Sequence, residues 1–453
     1  MGRAGTNKKE GFYMKNKKWM AILLGGIMAA SLAAPCSVSA AEKTTITFWH
    51  AMGGTNGEVL QQIVDDFNAS QDEIEIKAEY QGTYDDTITK LKAAMQSDSG
   101  LPDVCQMYDV GTKFMYDSGA VIPVEDKFES TGYDKSSVMD VISSYYTVEG
   151  KQYAMPFNVS TPMLYYNKDV FEAAGLDPET PPTTYDEVLE DAKKIVESGA
   201  APVGYSQAIY GWFFEQQLAG LGVTYGNNDN GRTEAVTAVD FDSNGGGLKV
   251  FDMWKKLYDS GYFEDYGTTT ADTQTAFFSG QVGMFIESTA ILKNAVDSSP
   301  FEVGTGYLPR IEQNDEGGVI IGGGSLWLTD TGNEANEDAA WKFIEYITTP
   351  DVQAKWSMGT GYFAINEKAY ETDDMKAYLE ENPNFETAIN QLKDSPVNAN
   401  TAGVLSGVQT EARLTFNELM PQVYEGKITT QEGVDQLAAS VNKAIENYNE
   451  SIK

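Results

Sequence analysis

The chain is poorly supplied with residues that bind metals or act as general bases at neutral pH. Its 453 residues hold one histidine, His50, and two cysteines, Cys36 and Cys105, against 67 acidic and 32 basic side chains. A zinc centre rich in His and Cys, or C-x-x-C redox chemistry, is therefore excluded. The phosphate-cradling G-x-x-x-x-G-K-[ST] loop is missing, and Gly304-Thr305-Gly306 is followed by Pro309 where the dinucleotide fingerprint requires a third glycine. No cofactor is expected. Gly323-Gly324-Ser325-Leu326-Trp327 superficially resembles a nucleophile elbow, but Trp327 occupies the closing glycine and the only histidine lies far upstream. Asp240, Asp242, Asn244 and Gly245 match the opening of a calcium loop, but Phe251 stands where a bidentate glutamate is needed. A turn with a helix cap before Leu248–Leu257 is the expectation there. Paired carboxylates for glycoside hydrolysis have no fixed sequence spacing. A secreted glycosidase thus stays open as an alternative, although most of the acidic side chains read as a solvated surface.

The elements around these residues must form a folded body. Hydrophobic residues make up 42% of the chain and aromatic ones 11%, enough to fill the cores of two or three units at about 150 residues each. The net charge of −35 argues against nucleic acid, which selects a basic face. At the start, Arg3, Lys8, Lys9, Lys15, Lys17 and Lys18 precede a charge-free apolar run from Met20 to Ala34, ending in Val38-Ser39-Ala40. This reads as a signal peptide over residues 1–40, and the run is short of the roughly 20 residues a spanning helix needs. The mature chain is expected outside the cytoplasm, periplasmic or at the cell surface. Cys36 is a second candidate, for lipidation, but Ala33-Ala34-Pro35 before it is a poor lipoprotein box. Cys105, within the apolar stretch Val104–Met107, reads as a buried small hydrophobe.

Thr44–His50 reads as a strand. Val59, Ile63 and Phe67, four apart, give a helix over Glu58–Asn68, and Ile74, Ile76, Ala78 and Tyr80 alternate with charged residues as a second strand. A helix around Thr87–Gln96 and a short strand at Val104–Tyr108 extend a βαβ pattern, implying an α/β fold. Tyr185, Val188, Leu189, Ala192, Ile195 and Val196 form a helical stripe with Pro181 and Pro182 before it and Gly199 after it. Val319–Leu328 is apolar around Gly322, Gly323 and Gly324, where missing side chains admit a close approach. Trp341, Ile344 and Ile347 look helical up to Pro350, and Thr430–Ile452 is another amphipathic helix.

Several segments together carry a resemblance. They are Thr47-Phe48-Trp49-His50, Gln106–Thr112, Pro156-Phe157-Asn158-Val159-Ser160-Thr161-Pro162 running into Leu164–Asp169, and Ile321-Gly322-Gly323-Gly324-Ser325-Leu326-Trp327. With the export signal, they make the chain similar to the family 1 extracellular solute-binding proteins of ABC importers over nearly all of residues 44–450. Among these it most resembles the binders of glycerol-3-phosphate and glycerophosphodiesters. The resemblance implies two α/β lobes of the type II periplasmic-binding-protein fold, joined by a hinge crossed three times, with the ligand cleft between them. Lobe 1 is expected at 41–158 plus 308–358 and lobe 2 at 159–307 plus 359–453. It further implies a monomer that is not an enzyme, takes a small-molecule ligand and delivers it to the permease subunits.

By the same resemblance, Ser160, Ser288, Gly323, Tyr362 and Arg413 match phosphate-binding positions, Tyr84 and Asp109 match positions that hold the glycerol hydroxyls, and Trp212 matches an aromatic wall. The chemistry suits the task. Hydroxyls and an exposed glycine amide donate directional hydrogen bonds, and a guanidinium adds charge with a fork that fits two phosphate oxygens. Taken alone, each has a plainer reading: Ser160 and Ser288 as turn or cap residues, Tyr362 as a core edge, Trp212 as core, Arg413 as a surface cation. His50 reads as a hydrogen-bonded residue near the cleft. Two departures matter. Asp109 stands where the glycerol phosphate binders have Glu, and Gly-Trp-x-x-Trp is half kept as Ala208-Ile209-Tyr210-Gly211-Trp212. Losing the first Trp would either widen the cleft for a head group such as choline or mark a different ligand altogether. The alternative inside the family is a sugar or oligosaccharide binder, for which 25 Tyr and 7 Trp supply stacking surfaces.

Overall fold

A computed structural model describes residues 43–97 and 100–452. The expected signal peptide and Cys36 lie outside the described residues.

The first sheet grows from the alternating strand at the start. β1 (Thr44–His50) pairs in parallel with β2 (Ile74–Tyr80) and with β3 (Val104–Tyr108). Parallel neighbours need a crossover, and helices Gly54–Ser70 and Tyr84–Gln96 supply it. The first buries Leu60, Ile63, Val64 and Phe67, the stripe legible in the sequence. The second begins three residues before the expected Thr87. A capping box closes its start: the Thr83 hydroxyl accepts from the Asp86 amide while the Asp86 carboxylate takes the Thr83 amide.

β4 (Val121–Ile122) lies at one edge, a small hairpin joins β5 (Thr147–Val148) to β6 (Lys151–Gln152), and β7 (Met155–Ser160) follows. The chain then passes at Thr161 into a second sheet, made of β8 (Pro162–Asn167), β9 (Val203–Ser206), β10 (Val282–Ser288) and β11 (Val303–Gly306) in the order β11-β8-β10-β9. β12 (Gly322–Thr329) returns to the first sheet, where it runs antiparallel to β3, β4 and β7. The architecture is therefore two α/β lobes with the chain crossing between their sheets.

Every residue of β7 and β8 is buried, so both sheets are covered on two faces. Helix Tyr185–Ser198 ends as expected at Gly199, whose φ of 76° places it in the left-handed region that a side chain resists. The helix Glu334–Ile347 ends before Pro350 as expected, and Pro350 itself opens the next helix, Pro350–Thr360, where a missing N–H costs nothing. The last helix spans Thr430–Ser451 and buries Val434, Leu437, Ala438, Val441 and Ile445. Cys105 is fully buried beside Trp327 on β12, and burial pushes its thiol up to about 12. Among the described residues no helix is long and apolar enough to cross a membrane.

Candidate functional site

The glycine run in β12 sets the geometry of the site. Gly323 has φ +92°, and a Cβ there would lie 1.9 Å from the Asn158 carbonyl oxygen on β7. Neither the dihedral nor the space admits another residue. The pairing of β12 with β7 shifts register just beyond, between Gly324 and Ser325, as a bulge does. A Cβ on Gly322 would come within 2.7 Å of the Trp212 indole, so bare backbone is what lets that ring pack against the strand. Gly323→Ala is expected to lower unfolding stability by about 1–3 kcal/mol, read from the shift of a urea midpoint; an unchanged midpoint would mean the backbone relaxes freely at this point.

These strand ends face a cavity of about 400 Å³ between the two sheets. All eight residues singled out in the sequence line it: Tyr84, Asp109, Ser160, Trp212, Ser288, Gly323, Tyr362 and Arg413. They arrive from far apart in the chain. Tyr84 opens a helix, Asp109 follows β3, Ser160 ends β7 and Ser288 ends β10. Ser288 is also a cap, its hydroxyl oxygen accepting the Ala290 amide at 3.2 Å, which leaves its O–H free to donate. Tyr84 stacks on Tyr108 with ring centroids 5.1 Å apart and 8° between planes, and its hydroxyl accepts from Asn158 Nδ2 at 2.7 Å. Burial pushes the phenols of Tyr84, Tyr108 and Tyr362 up, so at neutral pH each is a neutral O–H donor.

Arg413 is buried, at 8% exposure, which sets aside the plainer reading of a surface cation, but its fork is largely taken. Nε donates to Glu215 Oε1 at 2.7 Å, and Nη2 donates to Glu215 Oε2 at 2.7 Å and to Asp109 Oδ2 at 2.9 Å. The bidentate edge that a phosphate would use is thus filled by a carboxylate, leaving Nη1 as the donor without a partner among the described residues. The cause is local. Gly211 packs its bare Cα against Arg413, where a Cβ would lie 2.6 Å from the Arg413 Cα, and this close approach brings the first turns of helix Gly211–Gly220, Glu215 included, to the guanidinium. Burial disfavours the charged guanidinium, but Asp109 and Glu215 outweigh it and hold its pKa well above the usual arginine range.

The sequence reading missed three groups. Glu215 is buried on helix Gly211–Gly220, Glu287 is buried at the end of β10, and Tyr210 stands beside Trp212 with ring centroids 6.1 Å apart. The available signal was a carboxylate closing the otherwise apolar run Val282–Ile286, a position a solvated charge rarely takes. With these included, carboxylates outnumber the single cation around the cavity.

His50 does not line the cavity; its Nδ1 accepts the Met52 amide at 3.3 Å. Ser325, centre of the elbow-like motif, is fully buried, and its hydroxyl accepts from Trp327 Nε1 at 3.0 Å. Asn244 Oδ1 accepts the Gly246 amide at 2.9 Å at the start of helix Gly246–Asp259, two residues ahead of the expected Leu248. A larger cavity of about 510 Å³, walled by Pro181, Pro182, Leu308, Pro309 and Ile311, contains none of the eight residues.

The convergence of distant donors on one cleft between two sheets is the geometry of ligand capture, and comparison with known proteins agrees. The family profile described as bacterial extracellular solute-binding protein matches residues 62–387. The chain belongs to this family. It is 31% identical over 417 residues to the sn-glycerol-3-phosphate-binding periplasmic protein UgpB of Escherichia coli K12, covering 90% of this chain and 94% of that one. Among solved structures, UgpB from Mycobacterium tuberculosis in complex with glycerophosphocholine superposes with a TM-score of 0.77 at 20% identity, over 90% of this chain and all of that one. The cyclic alpha-maltosyl-1,6-maltose binding protein from Arthrobacter globiformis gives 0.74 at 26% identity, also over 90% of this chain and all of its own.

Proposed function

We propose that this chain, a solute-binding protein of an ABC importer, captures a glycerophosphodiester in the cleft. The supporting observation is that all eight residues matched to glycerol phosphate recognition line a single cavity. In this reading the Ser160, Ser288 and Tyr362 hydroxyls, the Gly323 amide and Arg413 Nη1 hold the phosphoryl oxygens. Tyr84 and Asp109 hold the glycerol hydroxyls, the carboxylate accepting from them, and Trp212 walls the cleft.

The charge balance favours a diester over glycerol-3-phosphate itself. A phosphomonoester carries about −1.5 to −2 at neutral pH and a diester only −1, and Asp109, Glu215 and Glu287 are all buried near the site. Repulsion in a buried site is weakly screened, so one charge fewer matters. We place the lobes at 43–160 plus 308–358 and 161–307 plus 359–452, the first crossing lying two residues beyond the expected 158 because β7 runs to Ser160. Ligand contacts from both exist only when they close, and binding shifts the hinge equilibrium by that differential affinity. The closed monomer, exported by its signal peptide, would then dock on the permease subunits.

Isothermal titration of the purified protein with glycerophosphocholine, glycerol-3-phosphate and maltotriose tests this. Saturable heat is expected from the diester, less from the monoester and none from the sugar. Heat from the sugar alone would replace the reading with carbohydrate capture.

A further inference from the structure

Glu287 lines the cavity and has no part in the roles above. It is 5% exposed. Its Oε2 accepts from Gln274 Nε2 at 3.0 Å and its Oε1 from the Ser288 amide at 2.8 Å. Both donors are neutral. The ion pairs at the cavity are those of Arg413 with Asp109 and Glu215, and among the described residues Glu287 has none. Burial pushes its pKa up, against the opposing pull of the two hydrogen bonds. A carboxylate held this way gains most from a cation brought to it, because pairing offsets its desolvation.

The neighbouring wall suits such a cation. Tyr210 and Trp212 present rings 49° apart in plane, and aromatic faces attract quaternary ammonium groups through the ring quadrupole. Tyr210, Trp212 and Glu287 line the same cavity, and the Tyr210 phenol is pushed up to about 12, first by burial, with Arg413 opposing the rise and Asp109, Glu215 and Glu287 adding to it. Trp212 is 5% exposed, and its Nε1 is buried without a hydrogen-bond partner among the described residues, a donor that a ligand oxygen would satisfy. Glu287 and Ser288 are adjacent in the chain, and in a phosphocholine or phosphoethanolamine group the ester oxygen and the ammonium are separated by two carbons. A phosphoryl group at Ser288 thus has its ammonium within reach of the neighbouring carboxylate.

We propose that Glu287, Tyr210 and Trp212 form a cation subsite that takes the ammonium head group of a glycerophosphodiester and selects zwitterionic over purely anionic glycerol phosphates. The inference rests on the glycerophosphodiester reading above. Its test uses the wild-type protein with two isosteres: glycerophosphocholine and the 3,3-dimethylbutyl ester, in which carbon replaces the quaternary nitrogen. Calorimetry is expected to show the carbon isostere binding at least about tenfold more weakly. In Glu287→Gln, which keeps the side-chain length and an acceptor for Ser288, the two isosteres should come within about threefold of each other, while glycerol-3-phosphate binds as well as before or better. Equal affinity of the wild type for both isosteres overturns the cation subsite and leaves the glycerophosphodiester reading standing. Failure of both isosteres to bind, with capture of maltotriose, removes both. A preference that persists in the folded Glu287→Gln variant removes Glu287 from the subsite.

Discussion

Arg413→Ala is expected to lose about 3–5 kcal/mol of unfolding stability at neutral pH, because it strips two buried carboxylates of the one cation paired with them among the described residues. The guanidinium gives three hydrogen bonds of 2.7 to 2.9 Å, two to Glu215 and one to Asp109. The side chains of both acids are only 7% exposed. Without the cation each is left buried and unpaired. Urea titration at neutral pH reads the loss. Arg413→Met combined with Glu215→Met should be less destabilised than Arg413→Ala, since it removes one of the stranded charges along with the cation. On the glycerophosphodiester reading proposed above, binding of glycerophosphocholine, measured where the variant stays folded, should weaken by about 2–5 kcal/mol, the cost of leaving a buried anion without its charged donor. A variant that keeps both stability and affinity would make Arg413 a bystander.

Arg413 and its partners divide what is legible in the sequence from what is not. Period and punctuation were enough for the elements. The alternation in Ile74–Tyr80, the stripe in Tyr185–Ser198 and the stop at Gly199 follow from local geometry, which the chain carries within ten or fifteen residues. Helix starts were less legible. The start at Tyr84 depends on Thr83 and Asp86 closing a capping box, and neither belongs to the apolar stripe. The eight candidate residues came from a family resemblance, and all of them line one cavity. The acids that set its charge did not come that way. Glu215 meets Arg413 across 198 residues of sequence, and Glu287 is one acid among 67. Whether a carboxylate is solvated or buried is decided by which segments pack together, and a composition so acidic hides the few that are not on the surface.

The lone histidine gives the second large effect, in the pH dependence of stability. His50 is 6% exposed at the end of β1, with the Phe48 and Tyr80 rings 5.6 and 5.9 Å away. Burial lowers its pKa to about 4 from an ordinary 6.5, with a smaller opposing contribution from the Met52 backbone. Above pH 6.5 the imidazole is neutral in both folded and unfolded chains and contributes nothing to the difference between them. As pH falls from 6.5 to 4, the unfolded chain binds a proton that the folded one refuses, so stability is lost across that window and levels off below it. A gap of about 2.5 pH units corresponds to about 3 kcal/mol. Carboxylates titrate at the acid end of the same window, so the quantity to measure is the difference between the stability profiles of wild type and His50→Gln, whose side chain retains an acceptor for Met52. That difference should be flat above pH 7 and move by about 3 kcal/mol in favour of the variant by pH 4. Profiles that stay parallel throughout would show that His50 takes its proton in place, with water reaching the ring in the folded protein.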